Sequence, residues 1–210
     1  MAMNEATARQ APNVYDAEPI PDSARAEIER LLASGDLFRY TAPSDAPVAL
    51  LEKEFAEYLG SRYALAVSSC SAALFLSLKA LDLPRGARVL IPAFTFAAVP
   101  SAVLHADCVP VLCEVGANFR IDMADFEAKL DHDIAAVLIS HMRGHTSDMD
   151  AIQRLCETRH IPVIEDAAHS LARSARWAGS AAFPSSPTSW SMPGKAGCWS
   201  RTTRKSPRGR

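Results

Sequence analysis

The sequence predicts an α/β fold: an open, mostly parallel sheet with helices on both faces. Between Tyr63 and Asp166, short apolar runs rich in Val, Ile and Leu alternate with segments of helical periodicity. Ser, Thr or Asp stands near the start of each helical segment, where a side-chain oxygen can cap free backbone N–H groups. Repeated strand–helix–strand units place parallel strands side by side and cover both faces of the sheet with helices.

Two amphipathic helices are predicted ahead of the sheet. Asp22–Ala33 and Val48–Leu59 both show helical spacing of apolar residues, and Gly60 is placed to end the second helix. The stretch between them, Arg39–Pro47, is predicted to be a loop. We expect three parts of the chain: an N-terminal helical segment at 1–60, an α/β domain at 61–172 and a tail at 173–210.

The elements of the α/β domain are predicted to alternate along the chain. Buried strands are expected at Tyr63–Val67, Arg88–Ile91, Val109–Cys113, Ala135–Ile139 and Pro162–Ile164. Helices are expected between them at Ser71–Leu81, Thr95–His105, Asp122–Leu130 and Asp148–Arg159. In open sheets of this kind ligands bind beyond the carboxyl ends of the strands, so polar residues there are the candidates for function.

Composition excludes several classes of protein. With 210 residues, 49% hydrophobic and 22% charged, the chain has the make-up of one globular domain. No apolar run reaches the roughly 18–20 residues that span a bilayer, and the polar start Met1–Gln10 lacks a secretory signal. We therefore expect a cytoplasmic protein without a membrane partner.

Two of the strand ends carry candidate binding residues. Val67–Leu74 (V-S-S-C-S-A-A-L) leads into a helix whose N-terminal N–H groups favour an anion, and Ser69 and Ser71 add hydroxyl groups. A plain N-cap is the alternative. Phe96 follows the strand ending near Ile91 and could cover a flat ring, with core packing as its alternative.

A third strand end places Glu165, Asp166 and His169 close together in sequence. A carboxylate buried there needs a cationic or protonated partner, and a protonated pyridine nitrogen would serve. Ala168 is small enough to lie under a ring. A helix-capping acid and a magnesium-binding acid are the alternatives. His141, after another strand, either faces the cleft or is a structural histidine.

In this order and spacing, the segments resemble those of the DegT-type sugar-nucleotide aminotransferases, a branch of the fold-type I pyridoxal-phosphate enzymes. V-S-S-C-S-A-A-L is similar to the family's phosphate-binding V-S-S-G-T-A-A-L, with Cys70 for Gly and Ser71 for Thr. P-A-F-T-F at 92–96, H-M-R-G with D-M-D at 141–150, and E-D-A-A-H-S at 165–170 are similar to three further family motifs. The resemblance covers roughly Ile20 to Ser170.

The resemblance implies an incomplete fold-type I large domain that binds pyridoxal 5'-phosphate. It implies six cofactor-binding residues, with Ser69, Ser71 and Ala72 at the phosphate, Phe96 stacked on the ring, Asp166 at the pyridine nitrogen and His169 beside the ring. It also implies a homodimer, because fold-type I sites are built across two subunits. The implied substrates are a keto-sugar nucleotide and an amino donor, and nucleic acid is not an expected partner.

One essential residue of the family is missing. These enzymes need a lysine that forms a Schiff base with the cofactor, in a segment like F-S-F-Q-S-Y-K-L…G-E-G-G downstream of the aspartate. Residues 182–199 do not resemble that segment. Lys195 lies among Pro193, Gly194 and Gly197 rather than on a strand, so we do not assign it the role. No catalytic residue is assigned in this chain.

A shifted reading frame explains the missing segment. From Ala182 onward, the codons can be read in the shifted frame, which combines the third base of each codon with the first two bases of the next. Synonymous third bases can then be chosen that encode F-S-F-Q-S-Y-K-L-V-D-A-G-E-G-G-M-L-V, with the lysine codon spanning Thr188 and Ser189. None of the 24 acidic residues but eight of the 22 basic ones follow Asp166. Such a tail fits a nucleic-acid arm, but out-of-frame sequence accounts for it better, and its Pro, Ser and Gly content favours disorder.

We therefore expect the amino-terminal part of a pyridoxal-phosphate aminotransferase that acts on a keto-sugar nucleotide, as a truncated chain without activity of its own. A non-catalytic module that binds the cofactor or a partner is the alternative. A nucleotide-binding α/β domain that uses the Ser69–Ala72 turn is a third hypothesis.

Overall fold

The computed structural model of the chain describes residues 19–38, 43–131, 133–170 and 200–202. The chain divides into two compact units, one up to Pro43 and one from Ser44 onward. The first unit contains helix α1 (Asp22–Ser34), which ends at Gly35 in a left-handed conformation. The N-terminal segment was expected to run to residue 60, whereas the structure assigns the second helix to the unit that contains the sheet.

The second unit alternates helices and strands much as predicted. Its helices are α2 (Pro47–Leu59), α3 (Cys70–Ala80), α4 (Ala98–His105), α5 (Met123–Lys129) and α6 (Met149–Thr158). Its strands are β1 (Arg88–Pro92), β2 (Val109–Cys113), β3 (Ile134–Ser140), β4 (Val163–Asp166) and β5 (Ser200–Thr202). Gly60 ends α2 with a left-handed φ of 63°, as its position indicated.

The described strands form one sheet in the order β2-β1-β3-β4-β5. The first four strands are parallel, and β5 pairs with β4 in the antiparallel direction. The chain passes from β1 to β2 on one side and returns to β3 on the other, so the strand order reverses between β1 and β3. Ligands of open α/β sheets bind at such a reversal, outside the carboxyl ends of the strands. The predicted fold class is confirmed.

Side chains that alternate along the strands build a core on each face of the sheet. Leu138 and Ile164 pack with residues of α3 and α4, whereas Ile139 and Val163 pack with residues of α5 and α6. Alternation places residues two apart on the same face, since successive side chains of a strand point to opposite faces. At the ends of β3 and β4, helices α3 and α4 therefore cover one face of the sheet, and α5 and α6 cover the other.

The predicted strand at Tyr63–Val67 is wrong. These residues are irregular, Tyr63 and Leu65 are exposed, and no described strand pairs with them. The N–H of Ala66 donates instead to Oε1 of Glu52 on α2, at 2.7 Å. A side chain thus satisfies a donor that a neighbouring strand would otherwise need to satisfy.

The predicted helix at Thr95–His105 begins three residues later, at Ala98. Pro100 explains the difference. In a helix that starts at Thr95 the ring of Pro100 would lie in the interior, where it lacks an N–H and clashes with the carbonyl of Phe96. In α4 it lies in the first turn, where proline is tolerated.

Strand β5 lies within the stretch that was expected to be a disordered tail. Its three residues pair with β4 through Ser200 and Asp166 at one end and Thr202 and Ile164 at the other. The rest of 173–210 lies outside the described residues, so the expectation for it stays a prediction. Within the described part of the chain, no helix has the length and apolarity needed to cross a membrane.

Candidate active site

Asp166 is the buried carboxylate at the carboxyl end of β4, and 5% of its surface is exposed. Its Oδ1 accepts from the N–H of Ala168 at 3.1 Å, and its Oδ2 accepts from the hydroxyl of Ser140 at 3.1 Å. Burial raises the pKa of the Asp166 carboxyl, while these two donors and the nearby His141 and His169 act in the opposite direction. A cation bound at this carboxylate would offset the cost of burial.

The start of α3 lies against this carboxylate. Cys70, the first residue of α3, has its Sγ 3.8 Å from Oδ1 of Asp166. The N-terminus of a helix attracts anions because its first N–H groups lack partners within the helix. The structure therefore brings a predicted anion-binding turn and a predicted ring-nitrogen partner into contact, although they are 96 residues apart in sequence.

Ser69 is the N-cap of α3, and its hydroxyl oxygen accepts from the N–H of Ala72 at 3.1 Å. The capping interpretation thus holds for Ser69, and its hydroxyl hydrogen stays available to a ligand. Ser71 is exposed in the first turn of the helix and makes no hydrogen bond within the described residues. Ser71 and Ala72 also line an apolar cavity of about 340 Å³ between α3 and α4. Asp166 does not line that cavity, which lies beside the candidate site.

The turn after β1 carries the aromatic candidate. Phe96 is 65% exposed, so the core-packing alternative is wrong for it. Its neighbour Thr95 has a buried hydroxyl oxygen that makes no hydrogen bond within the described residues. The ring of Phe94 packs instead on Phe119, with the ring centroids 5.2 Å apart. An exposed aromatic side chain and an unsatisfied hydroxyl at the end of a strand are suited to contact a ligand.

His169 is an exposed residue of the turn that follows β4. Its Nδ1 accepts from the backbone N–H of Arg143 at 3.3 Å. Arg143 belongs to the 3-10 turn Met142–Gly144, which follows β3. The turns after two adjacent parallel strands therefore meet at His169.

His141 and Glu165 form a second buried pair, separate from the Asp166 side chain. Nε2 of His141 lies 3.4 Å from Oε2 of Glu165, and their side chains are 0% and 8% exposed. Glu165 has the same parity on β4 as Val163, so it faces α5 and α6, whereas Asp166 faces α3. Of the two alternatives for His141, the structure supports a structural histidine on the far face of the sheet. Its Nδ1 is buried without a hydrogen bond among the described residues.

The structure thus brings together the start of α3, Asp166 and the His169 turn, while the binding roles predicted for them stay predictions. Ser140 was missed by the sequence analysis, although its position at the end of β3 beside Asp166 follows from strand alternation. Lys195 lies outside the described residues. Of the lysines that the structure describes, Lys129 forms an ion pair with Asp125 at 2.8 Å on α5.

The fold and the site define a class of protein: a doubly wound α/β domain with a buried carboxylate and a helix N-terminus at the ligand-binding edge of its sheet. Comparison with known sequences gives the family. The profile of the DegT/DnrJ/EryC1/StrS aminotransferase family matches residues 23–190, and the chain belongs to this family. Members of the family are pyridoxal-phosphate-dependent aminotransferases.

Individual relatives agree with this assignment. The chain is 38% identical over 125 residues to the spore coat polysaccharide biosynthesis protein SpsC of Bacillus subtilis, covering 59% of this chain and 32% of the relative. It is 32% identical over 173 residues to the 3-amino-5-hydroxybenzoate synthase of Amycolatopsis mediterranei, covering 82% and 43%. The crystal structure of an aminotransferase from Psychrobacter cryohalolentis superposes with a TM-score of 0.67 at 29% identity, covering 72% and 38%. The chain spans about a third to two fifths of the length of these relatives.

Proposed function

We propose that this chain carries the pyridoxal phosphate-binding part of an aminotransferase that acts on a keto-sugar nucleotide. The observation that carries the proposal is the buried Asp166 carboxylate, held in place by Ser140 and Ala168 and in contact with the start of α3. A cation bound beside this buried carboxylate would lower its pKa and offset the cost of its burial. A protonated pyridine nitrogen is such a cation.

The residues of this chain divide the binding task by chemistry. The first N–H groups of α3 and the hydroxyl of Ser71 would hold a phosphate, since a helix N-terminus favours negative charge. The exposed ring of Phe96 would cover one face of a flat ligand. Asp166 would keep a proton on the ring nitrogen, and His169 would lie beside the ring. When bound, pyridoxal phosphate supplies an electron sink for the transfer of an amino group.

The substrate class is supported by the relatives. SpsC of Bacillus subtilis is named for polysaccharide biosynthesis, and a GDP-perosamine synthase of Vibrio cholerae is 31% identical over 121 residues. We infer that the intact relative of this chain uses a keto-sugar nucleotide and an amino donor, and that it works as a homodimer in the cytoplasm. Nucleic acid and membranes are not part of the proposal.

This chain alone is proposed to bind the cofactor without turning over substrate. The segment that carries the family's lysine is absent from the sequence, and a lysine that is not held in place loses the orientation that can supply roughly 7–11 kcal/mol of a reaction barrier. The binding-module alternative of the sequence analysis is therefore what this chain itself would do.

The test measures the binding of pyridoxamine 5'-phosphate, which has the cofactor's ring and phosphate but no aldehyde to react with surface lysines. We expect Asp166→Asn to weaken binding by about tenfold or more, because hydrogen bonds to charged groups contribute roughly 1.5–3 kcal/mol. Asp148→Asn is the matched control, since Asp148 caps α6 away from the site and asparagine caps equally well. Equal affinities of the two variants would refute the proposal.

A second measurement addresses the lysine. The chain is incubated with pyridoxal phosphate, reduced with borohydride and digested, and the labelled peptides are identified by mass spectrometry. We expect scattered, substoichiometric labelling of surface lysines. Stoichiometric labelling confined to Lys195 would contradict the assignment of a binding-only role.

A further inference from the structure

The tautomer of His169 is set by the turn that follows β3. The Arg143 N–H donates to Nδ1 of His169 at 3.3 Å. A backbone N–H can only donate, so Nδ1 accepts and carries no proton while this bond is present. The ring proton of the neutral imidazole then lies on Nε2. His169 is thereby fixed as a donor through Nε2, in an exposed position at the edge of the site.

Arg143 adopts an unusual backbone conformation to make this bond. Its φ of 54° and ψ of 23° lie in the left-handed region, which residues other than glycine rarely adopt. The turn is closed on both sides of Arg143, by Gly144 N–H to the carbonyl of His141 at 3.1 Å and by His145 N–H to the carbonyl of Met142 at 3.0 Å. The surrounding turn thus holds the strained residue in place.

Gly144 permits the close approach of the same turn to the backbone of His169. Gly144 has a φ of 77°, and a Cβ added there would lie 3.0 Å from the carbonyl oxygen of His169. That distance is tighter than most contacts of a Cβ atom, so the carbonyl of His169 would have to move by a few tenths of an ångström. Consequently, the side chain of His169 is held by Arg143 and its backbone is contacted by Gly144.

We propose that Arg143 and Gly144 are positioning residues for His169, and that they select the tautomer whose Nε2–H is offered to an acceptor group on the bound ligand. The identity of that ligand rests on the proposed function, but the tautomer and the geometry do not. The selectivity follows from the chemistry of the ring. A ligand group that accepts a hydrogen bond at this point is bound, whereas one that can only donate meets an N–H and is disfavoured.

The first test uses the unmodified full chain. With 15N labelling, NMR should detect a scalar coupling across the hydrogen bond between the Arg143 amide nitrogen and Nδ1 of His169, together with a proton on Nε2. Averaged ring nitrogens without this coupling would overturn the proposal. Because no ligand is present, this result does not depend on the proposed function.

The second test displaces the turn. Gly144→Ala should abolish the coupling and weaken the binding of pyridoxamine 5'-phosphate by roughly three- to tenfold, the effect of one neutral hydrogen bond. Gly86→Ala is the matched control, because Gly86 has a φ of 79° but its added Cβ would meet nothing within 4 Å. The control should keep the coupling and an affinity within about twofold. Retention of the coupling in Gly144→Ala would contradict the role given to Gly144.

A further pair of variants tests the backbone of Arg143. Arg143→Val opposes the left-handed region and should lose the coupling, whereas Arg143→Asn tolerates that region and should restore it. Equal spectra of the two variants would contradict the role of backbone conformation. If the unmodified chain shows the coupling but does not bind pyridoxamine 5'-phosphate, the proposed function fails and the positioning of His169 stands.

Discussion

Replacing two serines at the start of α3 should separate helix capping from ligand binding. Ser69→Ala removes the oxygen that accepts from the N–H of Ala72 at 3.1 Å. Loss of an N-cap costs about 1 kcal/mol, within a range of roughly 0.5–2 kcal/mol, whereas glycine at the same position costs only a few tenths. Ser71 is exposed and makes no hydrogen bond within the described residues, so Ser71→Ala should change the free energy of unfolding by less than about 0.5 kcal/mol.

The effects on binding should be ordered differently. A hydroxyl that donates to a phosphate is lost in Ser71→Ala, which should weaken pyridoxamine 5'-phosphate binding by about tenfold or more. Urea unfolding followed by circular dichroism gives the stability of each variant, and a binding isotherm gives the affinity. Two results would refute the reasoning: a Ser69→Ala variant as stable as the unmodified chain, or a Ser71→Ala variant that loses stability but not affinity.

Burial, charge and the reading frame lead to five further predictions. Burial raises the folded-state pKa of Asp166, so the folded chain binds the extra proton and should lose stability as pH rises from 3.8 through that raised pKa; thermal melts of Asp166→Asn should lack this loss. Phe126→Ala should lower the free energy of unfolding in urea by about 3–5 kcal/mol, and Phe119→Ala, at a 42% exposed position, by much less. Burial raises the thiol pKa of Cys113 and Cys156 to about 12, so both should resist iodoacetamide until the chain unfolds, as mass spectrometry can show. Resequencing the gene around codons 170–200 should reveal the shifted frame, and an uninterrupted frame would contradict this expectation. In the frame-restored protein, Asp166→Asn should abolish most transamination while leaving folding nearly intact, and near-normal turnover would contradict that.

Most of the fold was predictable because local patterns and long-range packing agree. The bounds of the strand Val109–Cys113 were predicted to the residue. The prediction that this strand is buried is wrong, because β2 lies at the edge of the described sheet, where Val109 and Leu112 are 47% and 54% exposed. Helices α5 and α6 begin where Asp122 and Asp148 can cap them, as capping chemistry indicates. In these elements the signal lies within the segment itself.

The errors occurred where a distant or overlooked residue decides the outcome. Tyr63–Val67 has the composition of a strand, but a strand needs a neighbouring strand to accept its backbone hydrogen bonds. Here the carboxylate of Glu52 accepts the N–H of Ala66 instead. Helix α4 starts later than predicted because Pro100 is tolerated in the first turn of a helix but not in its interior. The conformation of Tyr63–Val67 and the start of α4 therefore both depend on residues outside the apolar pattern.

The candidate site was predictable only where its residues belong to a motif within a single segment. Asp166 and the start of α3 were identified from their motifs, and their contact follows from the fold. The role of Arg143 was not predictable, because a backbone N–H carries no signature in the side-chain sequence and the left-handed φ is known only from the structure. The separation of Glu165 from Asp166 follows from the alternation of side chains along β4.

Because Glu165 and Asp166 face opposite sides of the sheet, the chain should tolerate insertions and deletions poorly just before β4. Two carboxylates adjacent in sequence face opposite sides of the sheet, Asp166 toward α3 and Glu165 toward His141. If a single residue were inserted or deleted between α6 and β4 and the strand slipped by one position, the two acids would exchange sides. A slip in one direction would put the longer Glu165 at the position of Asp166, and a slip in the other direction would put the shorter Asp166 opposite His141. A duplication or loss of one codon between Arg159 and Pro162 should therefore disturb the candidate site far more than the same change in the exposed turn at Gly116–Asn118. That turn does not determine which side of the sheet a buried acid faces.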